Sequence, residues 1–137
     1  MRVALCGGRD PAERALADAI AAKMQAKPVD LVGKDTLKQF LALCRRARVV
    51  LTPDSGPLHM ANAVGARVIG LHAASDPRRS GAYSNLAFAV DRYDEAARKF
   101  RGKPASELKW GTKLEYPGVM ELVDVASVVA TLDRALA

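Results

Sequence analysis

Short apolar runs and amphipathic stretches alternate along this chain from its first residues. Runs of this length are typical of buried strands, and the stretches between them carry apolar residues at helical spacing. The runs predict strands at Val3–Cys6, Val29–Val32, Val49–Leu51, Val68–Leu71 and Leu86–Val90. Strands that alternate with helices of about ten residues imply right-handed crossovers and a parallel sheet. We therefore predict an α/β fold, a Rossmann-like parallel sheet with helices on both faces.

Capping signals set the boundaries of the predicted helices. Asp10 and Glu13 flank Pro11 in the form of a capping box, which predicts a helix that ends before Pro28. The other predicted helices are Leu37–Arg46, a short helix with Pro57 in its first turn and Gly65 at its end, Tyr93–Arg101, and a last helix that Asp124 caps and whose apolar face carries Val125, Val128, Val129, Leu132 and Leu136. Residues 102–118 are predicted to be mainly loop.

Length and composition are those of one ordinary globular domain. The chain has 137 residues, of which 50% are hydrophobic and 26% charged. No apolar run approaches the ~18 residues that would span a bilayer, so we expect a soluble protein. Its two cysteines, Cys6 and Cys44, are expected to be buried, reduced thiols in the cytoplasm. No metal-ligand spacing exists around them or around the two histidines, so we predict neither a metal nor a cofactor.

The charge balance favours an anionic partner. Lysine and arginine outnumber the acidic residues by 21 to 15, which gives a formal net charge of +6. Such a charge suits a nucleotide diphosphate, a nucleic acid or an anionic membrane surface. The three Phe, three Tyr and one Trp are scattered and do not alternate with basic residues, so we predict no nucleic-acid partner.

The strongest candidate site follows the strand Val49–Leu51. Asp54, Ser55 and Gly56 lie between the carboxyl end of this strand and the amino end of the next helix, and His59 lies one turn into that helix. Open α/β sheets bind ligands at this edge, and free backbone N–H groups there attract phosphate. Asp and Ser are also ordinary N-cap residues, and a lone helical histidine is more often packed than catalytic.

The wider pattern resembles the C-terminal half of family 9 glycosyltransferases, the heptosyltransferases that build the lipopolysaccharide core from ADP-heptose. The residues that carry this resemblance are Asp54, Ser55, Gly56, Pro57, His59, Ala61, Leu71, Asp76, Pro77, Gly81 and Tyr83. The resemblance implies a nucleotide-sugar-binding domain of an inverting enzyme. Its donor would be ADP-heptose or a similar nucleotide sugar. Its lipid-linked acceptor would bring the parent protein to the inner face of the inner membrane.

The resemblance also implies roles for individual residues. Backbone amides and the Ser55 hydroxyl would meet the diphosphate with His59 nearby, and Asp54 would hold the turn or bind sugar hydroxyls. Three further elements would face the nucleotide: the turn at Gly7, the ribose-binding position Glu13, and an adenine loop made of Lys34, Asp35, Thr36 and Leu37. Local structure offers alternatives for each, since Gly7 suits a tight turn, Glu13 a capping box and Thr36 or Asp35 an N-cap. Asp76–Tyr83 is predicted to be a loop at the same sheet edge, and His72 to be structural.

Family members have a second Rossmann-like domain that binds the acceptor and supplies a general base, which we expect to be absent from this chain. We also expect the strand–helix unit that normally precedes Arg2 to be missing, with its phosphate-binding lysine. Either Arg2–Cys6 then pairs directly with Val49–Thr52, or a second chain fills the gap in a homodimer. The chain alone is expected to transfer no sugar. Two alternatives are a stand-alone nucleotide- or partner-binding domain without catalysis and a sugar-nucleotide epimerase.

Overall fold

All strand pairs in the computed structural model, which describes residues 1–137, are parallel. The strands and α-helices are, in order, β1 (Ala4–Leu5), α1 (Pro11–Lys23), β2 (Val29–Asp30), α2 (Leu37–Arg46), β3 (Val50–Pro53), α3 (Gly56–Ala63), β4 (Val68–His72), α4 (Pro77–Ser80), β5 (Val90–Asp91), α5 (Tyr93–Arg101) and α6 (Val125–Leu136). Three 3-10 helices cover Tyr83–Phe88, Ala105–Glu107 and Val119–Leu122. This order confirms the predicted α/β fold.

The chain divides into two structural units, of which the first covers Met1–Ala42. Here β1 and β2 pair with Ala4 opposite Val29, and α1 forms the crossover between them. The Asp10 carboxylate accepts a 2.7 Å hydrogen bond from the Ala12 N–H and caps α1. Local sequence signals therefore suffice to define this β–α–β segment.

The second unit, Leu43–Ala137, is built around a three-stranded sheet with β4 in the middle. Alternation along β4 divides its side chains between the two faces. On one face Ile69 packs in a buried cluster with Val90 and with Ala135 of α6. On the other face Gly70 lies against Leu58 of α3. Helices therefore cover both faces of this sheet, as the apolar run predicts.

A second buried cluster in the same unit supports the loop that follows β4. It consists of Ala73, Tyr93, Ala96, Ala97, Leu114 and Val119. The Leu114 N–H also donates a 2.8 Å hydrogen bond to the Ala74 carbonyl. The irregular segment after α5 thus fixes the backbone that leads from β4 into α4.

The predicted fifth strand is largely wrong. Only Val90 of the predicted range belongs to a strand, because Tyr83–Phe88 forms a 3-10 helix. The buried Asn85 within it accepts a hydrogen bond from the Val68 N–H and donates others to Asn62 and Ala66. A side-chain amide thereby joins this segment to the start of β4, where the sequence suggested strand pairing.

Two predictions about burial and one about pairing also need correction. Of the predicted apolar face of α6, Val128 and Leu132 pack against the core, whereas Val125 is 78% exposed and Val129 is 48% exposed. Cys44 is buried as predicted, but Cys6 is exposed. Finally, β1 and β3 belong to different sheets, so their predicted direct pairing is not present. None of the helices combines the length and the apolar character that a bilayer crossing requires.

Candidate functional site

The Asp54 carboxylate is the centre of the polar cluster at the carboxyl edge of the β3–β4–β5 sheet. Its Oδ2 atom accepts two hydrogen bonds of 2.6 Å, one from Ser75 and one from Ser80. Ser75 lies in the loop after β4, and Ser80 is the last residue of α4. The cluster therefore joins the loop between β3 and α3 to the loop between β4 and α4.

The segment predicted as a loop after β4 contains the short helix α4. Asp76 caps this helix by accepting a 2.9 Å hydrogen bond from the Arg78 N–H, and its carboxylate also binds the Arg78 guanidinium. The Gly81 N–H closes the turn on the Pro77 carbonyl at 2.8 Å. These bonds present Ser80 to Asp54.

His72 extends the cluster into the interior. Its imidazole is 1% exposed, and its Nδ1 atom lies 3.3 Å from the Ser75 hydroxyl. Because the single Ser75 proton is directed at Asp54, Ser75 can only accept from His72, so Nδ1 carries the proton. The Nε2 atom is then a buried lone pair without a hydrogen-bond partner. His72 thus contacts Ser75 from the interior, and its structural role stays a prediction.

Environment fixes the charge states of both groups. Burial raises the pKa of Asp54, but the hydrogen bonds from Ser75 and Ser80, together with the nearby histidines His72 and His59, outweigh it and leave the pKa below its usual 3.8. Burial lowers the pKa of His72 below 6.5, although the nearby Asp54, Asp91 and Asp76 carboxylates oppose part of this shift. The cluster thus combines a carboxylate anion with a neutral buried imidazole at neutral pH.

We expect the folded protein to lose stability as the pH falls below 6.5. The His72 imidazole becomes protonated in the unfolded chain near that pH but stays neutral in the folded one, so the unfolded state binds more protons. Above pH 6.5 the His72 imidazole is neutral in both states, so it no longer makes the free energy of unfolding depend on pH. Urea unfolding of the wild type between pH 5 and 7.5 measures the slope.

His72→Gln provides the test of this assignment, because it removes the buried imidazole and should flatten the slope. His59→Gln removes the other imidazole and should keep the contribution from His72. Equal slopes in the wild type and His72→Gln would contradict the prediction.

The amino end of α3 lies directly beside this cluster. Ser55 occupies the N-cap position without capping the helix, since its hydroxyl donates to the Pro53 carbonyl at 3.2 Å. A Cβ atom added at Gly56 would meet nothing within 4 Å. The next residue, Pro57, has no N–H, so of these two residues only Gly56 offers a backbone donor. The helix end therefore offers an uncapped backbone donor and open space in front of it.

His59 stands one turn into α3 with its side chain 54% exposed. Its Nε2 atom lies 3.6 Å from Oδ1 of Asp54, the oxygen that the serines do not use. The structure thus brings Asp54, Ser55, Gly56 and His59 together, which are the four residues that the sequence groups in one motif. Their binding roles stay a prediction.

In the first unit, the turn at Gly7 is held by a local contact with Glu13. A Glu13 carboxylate oxygen accepts a hydrogen bond from the Gly8 N–H. A Cβ atom at Gly7 would lie 2.7 Å from that carboxylate, so a larger residue there would displace the Glu13 side chain. This local bond differs from a capping box, in which Glu13 would bind the N–H of Asp10. The ribose-binding role of Glu13 stays a prediction.

In the predicted adenine loop, some side chains make ion pairs or hydrogen bonds within the chain and others are exposed. The Lys34 ammonium pairs with Asp30 at 3.0 Å, and Arg14 binds the same carboxylate. Hydrogen bonds from Lys34 and then Arg14 lower the pKa of Asp30 to about 2. Lys34 is therefore an ion-pair partner here.

The rest of this loop begins α2. Thr36 and Gln39 cap each other reciprocally, which confirms the N-cap alternative for Thr36. Asp35 is half-buried, whereas Leu37 exposes most of its side chain. Leu37 is thus an exposed apolar side chain of this loop, and its adenine-binding role stays a prediction.

Sequence reasoning missed Ser75 and Ser80 as members of the cluster. They lie 21 and 26 residues after Asp54 in the chain. The sequence did place Asp76–Tyr83, which contains Ser80, at the same sheet edge, and this was the available signal. It could not show that both hydroxyls reach one carboxylate oxygen.

Comparison with known proteins assigns this chain to a family. A family model described as glycosyltransferase family 9 (heptosyltransferase) matches residues 1–111. The chain belongs to glycosyltransferase family 9. The family 9 model includes the whole Asp54 cluster and both predicted nucleotide-facing segments of the first unit.

Two similar proteins show how much of a family 9 protein this chain covers. The chain is 38% identical over 134 residues to the lipopolysaccharide core heptosyltransferase OpsX of Haemophilus influenzae, covering 98% of this chain and 39% of that protein. It also matches the crystal structure of a family 9 glycosyl transferase from Veillonella parvula, with a TM-score of 0.71, 20% identity and coverage of 98% of this chain and 36% of that one. The chain thus spans about two fifths of the length of these family 9 proteins.

Proposed function

We propose that this chain forms the donor-binding part of an inverting glycosyltransferase that moves heptose from ADP-heptose to a lipopolysaccharide core acceptor. The observation that carries the proposal is the open, uncapped amino end of α3 beside the Asp54 cluster, in a family 9 chain. Helix amino ends with available N–H groups favour phosphate. The identity to a lipopolysaccharide core heptosyltransferase supports heptose as the sugar.

The chemistry asked of this site is stabilisation of the departing diphosphate. Negative charge grows on the leaving nucleotide as the sugar–oxygen bond breaks, and a preorganised backbone donor lowers the energy of that charge. The Gly56 N–H supplies such a donor, and the Ser55 hydroxyl would supply a second one by turning away from the Pro53 carbonyl. The family resemblance further implies that Leu37 supports the adenine and that Glu13 meets the ribose. The lipid-linked acceptor would place the enzyme in the cytoplasm at the inner face of the inner membrane.

Substitutions at the two donor residues should weaken ADP binding without unfolding the chain. A valine at Gly56 fills the open space in front of α3, so we expect at least a tenfold loss of affinity. Removing the Ser55 hydroxyl costs one hydrogen bond to a charged group, about tenfold or more. Isothermal titration with ADP measures both.

Ser84→Ala is the matched control, because Ser84 is an exposed serine in a 3-10 helix of the same unit. Wild-type affinity in this variant is expected. Binding that Gly56→Val and Ser55→Ala leave unchanged would move the nucleotide site elsewhere.

The second candidate is a binding domain that catalyses nothing by itself. The chain matches 39% of the Haemophilus heptosyltransferase, and the family resemblance assigns the acceptor and the general base to a separate domain. We therefore propose that these 137 residues alone bind nucleotide without transferring sugar. Acceptor-dependent release of ADP from ADP-heptose by the purified chain would contradict this proposal. ADP binding without turnover would agree with it.

We also propose that the chain associates with itself. Both β1 and β3 are edge strands, and Val3, directly before β1, and Leu51 on β3 are exposed. Edges of this kind invite pairing with another chain. Light scattering should give twice the monomer mass of 14.6 kDa. A monomer mass across the micromolar range would show that the edges stay uncovered.

A further inference from the structure

Two serine hydroxyls converge on a single oxygen of Asp54. Each has one proton to donate, and both lie 2.6 Å from Oδ2. The alternative acceptor for Ser80, the carbonyl of Asp76, is more distant at 3.4 Å. Ser75 is further polarised by the Nδ1–H of the buried His72. The whole set of donors therefore points one way, towards one carboxylate oxygen, and fixes the rotation of that carboxylate.

That rotation determines what the other oxygen can do. With Oδ2 occupied, Oδ1 faces the Nε2 atom of His59 at 3.6 Å. This distance exceeds a hydrogen bond but lies within ion-pair range, and polar contacts of this kind often shorten when a ligand binds. Asp54 is only 19% exposed at its side chain, whereas His59 is the outer group. A ligand at the surface would therefore meet the His59 imidazole before the Asp54 carboxylate.

We propose that Ser75 and Ser80 are positioning residues that hold Asp54 so that it orients His59 beside the amino end of α3. This inference rests on the proposed nucleotide site, and it gives Asp54 a different task from direct binding of sugar hydroxyls. Of Asp54 and His59, it is His59 that meets the diphosphate side of the ligand. The serines act on it through the carboxylate.

The geometry distinguishes this role from general support of the fold. Ser80 is half-buried at the end of a four-residue helix, outside both apolar clusters. Its hydroxyl therefore contributes little packing area. Removing it should release one constraint on Asp54 while the apolar core stays intact.

The test uses the two histidines as reporters, because the chain contains only two. The ring signals of His59 and His72 are followed by NMR at pH 7.5 in the wild type, Ser75→Ala and Ser80→Ala. We expect the His59 signals to move in both variants, and to return towards wild-type positions in Ser75→Thr and Ser80→Thr, which keep the hydroxyl. The control Ser84→Ala should leave them in place. In the wild type His72 should show a protonated Nδ1.

Each outcome decides the proposal. His59 signals that stay unchanged in folded Ser75→Ala and Ser80→Ala would overturn it, as would a protonated Nε2 on His72. If Ser75→Ala fails to fold, Ser80→Ala at the half-buried end of the cluster decides the matter alone. A lowered melting temperature with unmoved His59 signals would assign the serines to structure alone.

An ADP titration separates this proposal from the function on which it rests. With the wild type binding ADP, we expect threefold to tenfold weaker binding in Ser80→Ala and recovery in Ser80→Thr. Absence of ADP binding by the wild type would remove support for the proposed nucleotide site, while the NMR result would still decide whether the serines position His59. Unchanged ADP affinity in Ser80→Ala, with the wild type binding, would count against the proposal.

Discussion

Replacing Leu58 with alanine is expected to lower the free energy of unfolding by about 2–5 kcal/mol. Leu58 lies on α3 with no exposed surface and packs against the middle strand of the sheet. The substitution leaves a cavity between α3 and β4 that surrounding backbone cannot easily fill. Urea unfolding monitored by circular dichroism measures the change.

Leu51→Ala is the matched control for this cavity, since Leu51 lies on the edge strand β3 with about half of its side chain exposed. A loss below about 1 kcal/mol is expected there, because less apolar surface returns to water. Equal losses for the two leucines would show that α3 does not pack as described.

An alanine at Gly70 should also destabilise the protein, by about 1–3 kcal/mol. The added Cβ would lie 2.8 Å from Leu58 Cδ1 and 2.8 Å from His72 Nε2, and both of these side chains are buried. Neither can move without disturbing the core or the polar cluster. Thermal and urea unfolding measure the loss.

Gly56→Ala is the control glycine, because a Cβ there meets nothing. It should be neutral or stabilise the chain slightly by restricting the unfolded state. The double variant Leu58→Ala with Gly70→Ala should lose less stability than the sum of the two single losses, since the new Cβ occupies part of the cavity. Strict additivity would argue against the contact between α3 and β4.

Local signals allowed much of the fold to be predicted. Asp10 and Asp124 cap α1 and α6 through backbone N–H groups two or three residues away, so their effect is readable from adjacent residues. The parallel order of strands followed from alternation with helices. The 3-10 helix Tyr83–Phe88, where the sequence suggested a strand, was not predictable in the same way, because Asn85 makes its bonds to residues 17 to 23 positions away.

The candidate site shows the same division between near and distant contacts. The turn Asp54–Gly56 and the nearby His59 lie in one short segment, so their proximity follows from a strand and a helix meeting there. The serine hydroxyls come from another loop, and their approach depends on the register between β3 and β4 and on the capped turn of α4. Side-chain convergence of that kind has no signature in a single sequence.

The hydroxyl bonds between Ser75, Ser80 and Asp54 also bear on the thermodynamics of ligand capture. Because two neighbouring loops are already fastened to each other, a nucleotide need not order them on arrival, and that part of the entropic cost of association is met during folding. Binding should then show little change in amide hydrogen exchange across Ser75–Ser80. The affinity for the nucleotide at these two loops would depend mainly on the hydrogen bonds that the ligand itself makes. Loop closure would contribute much less.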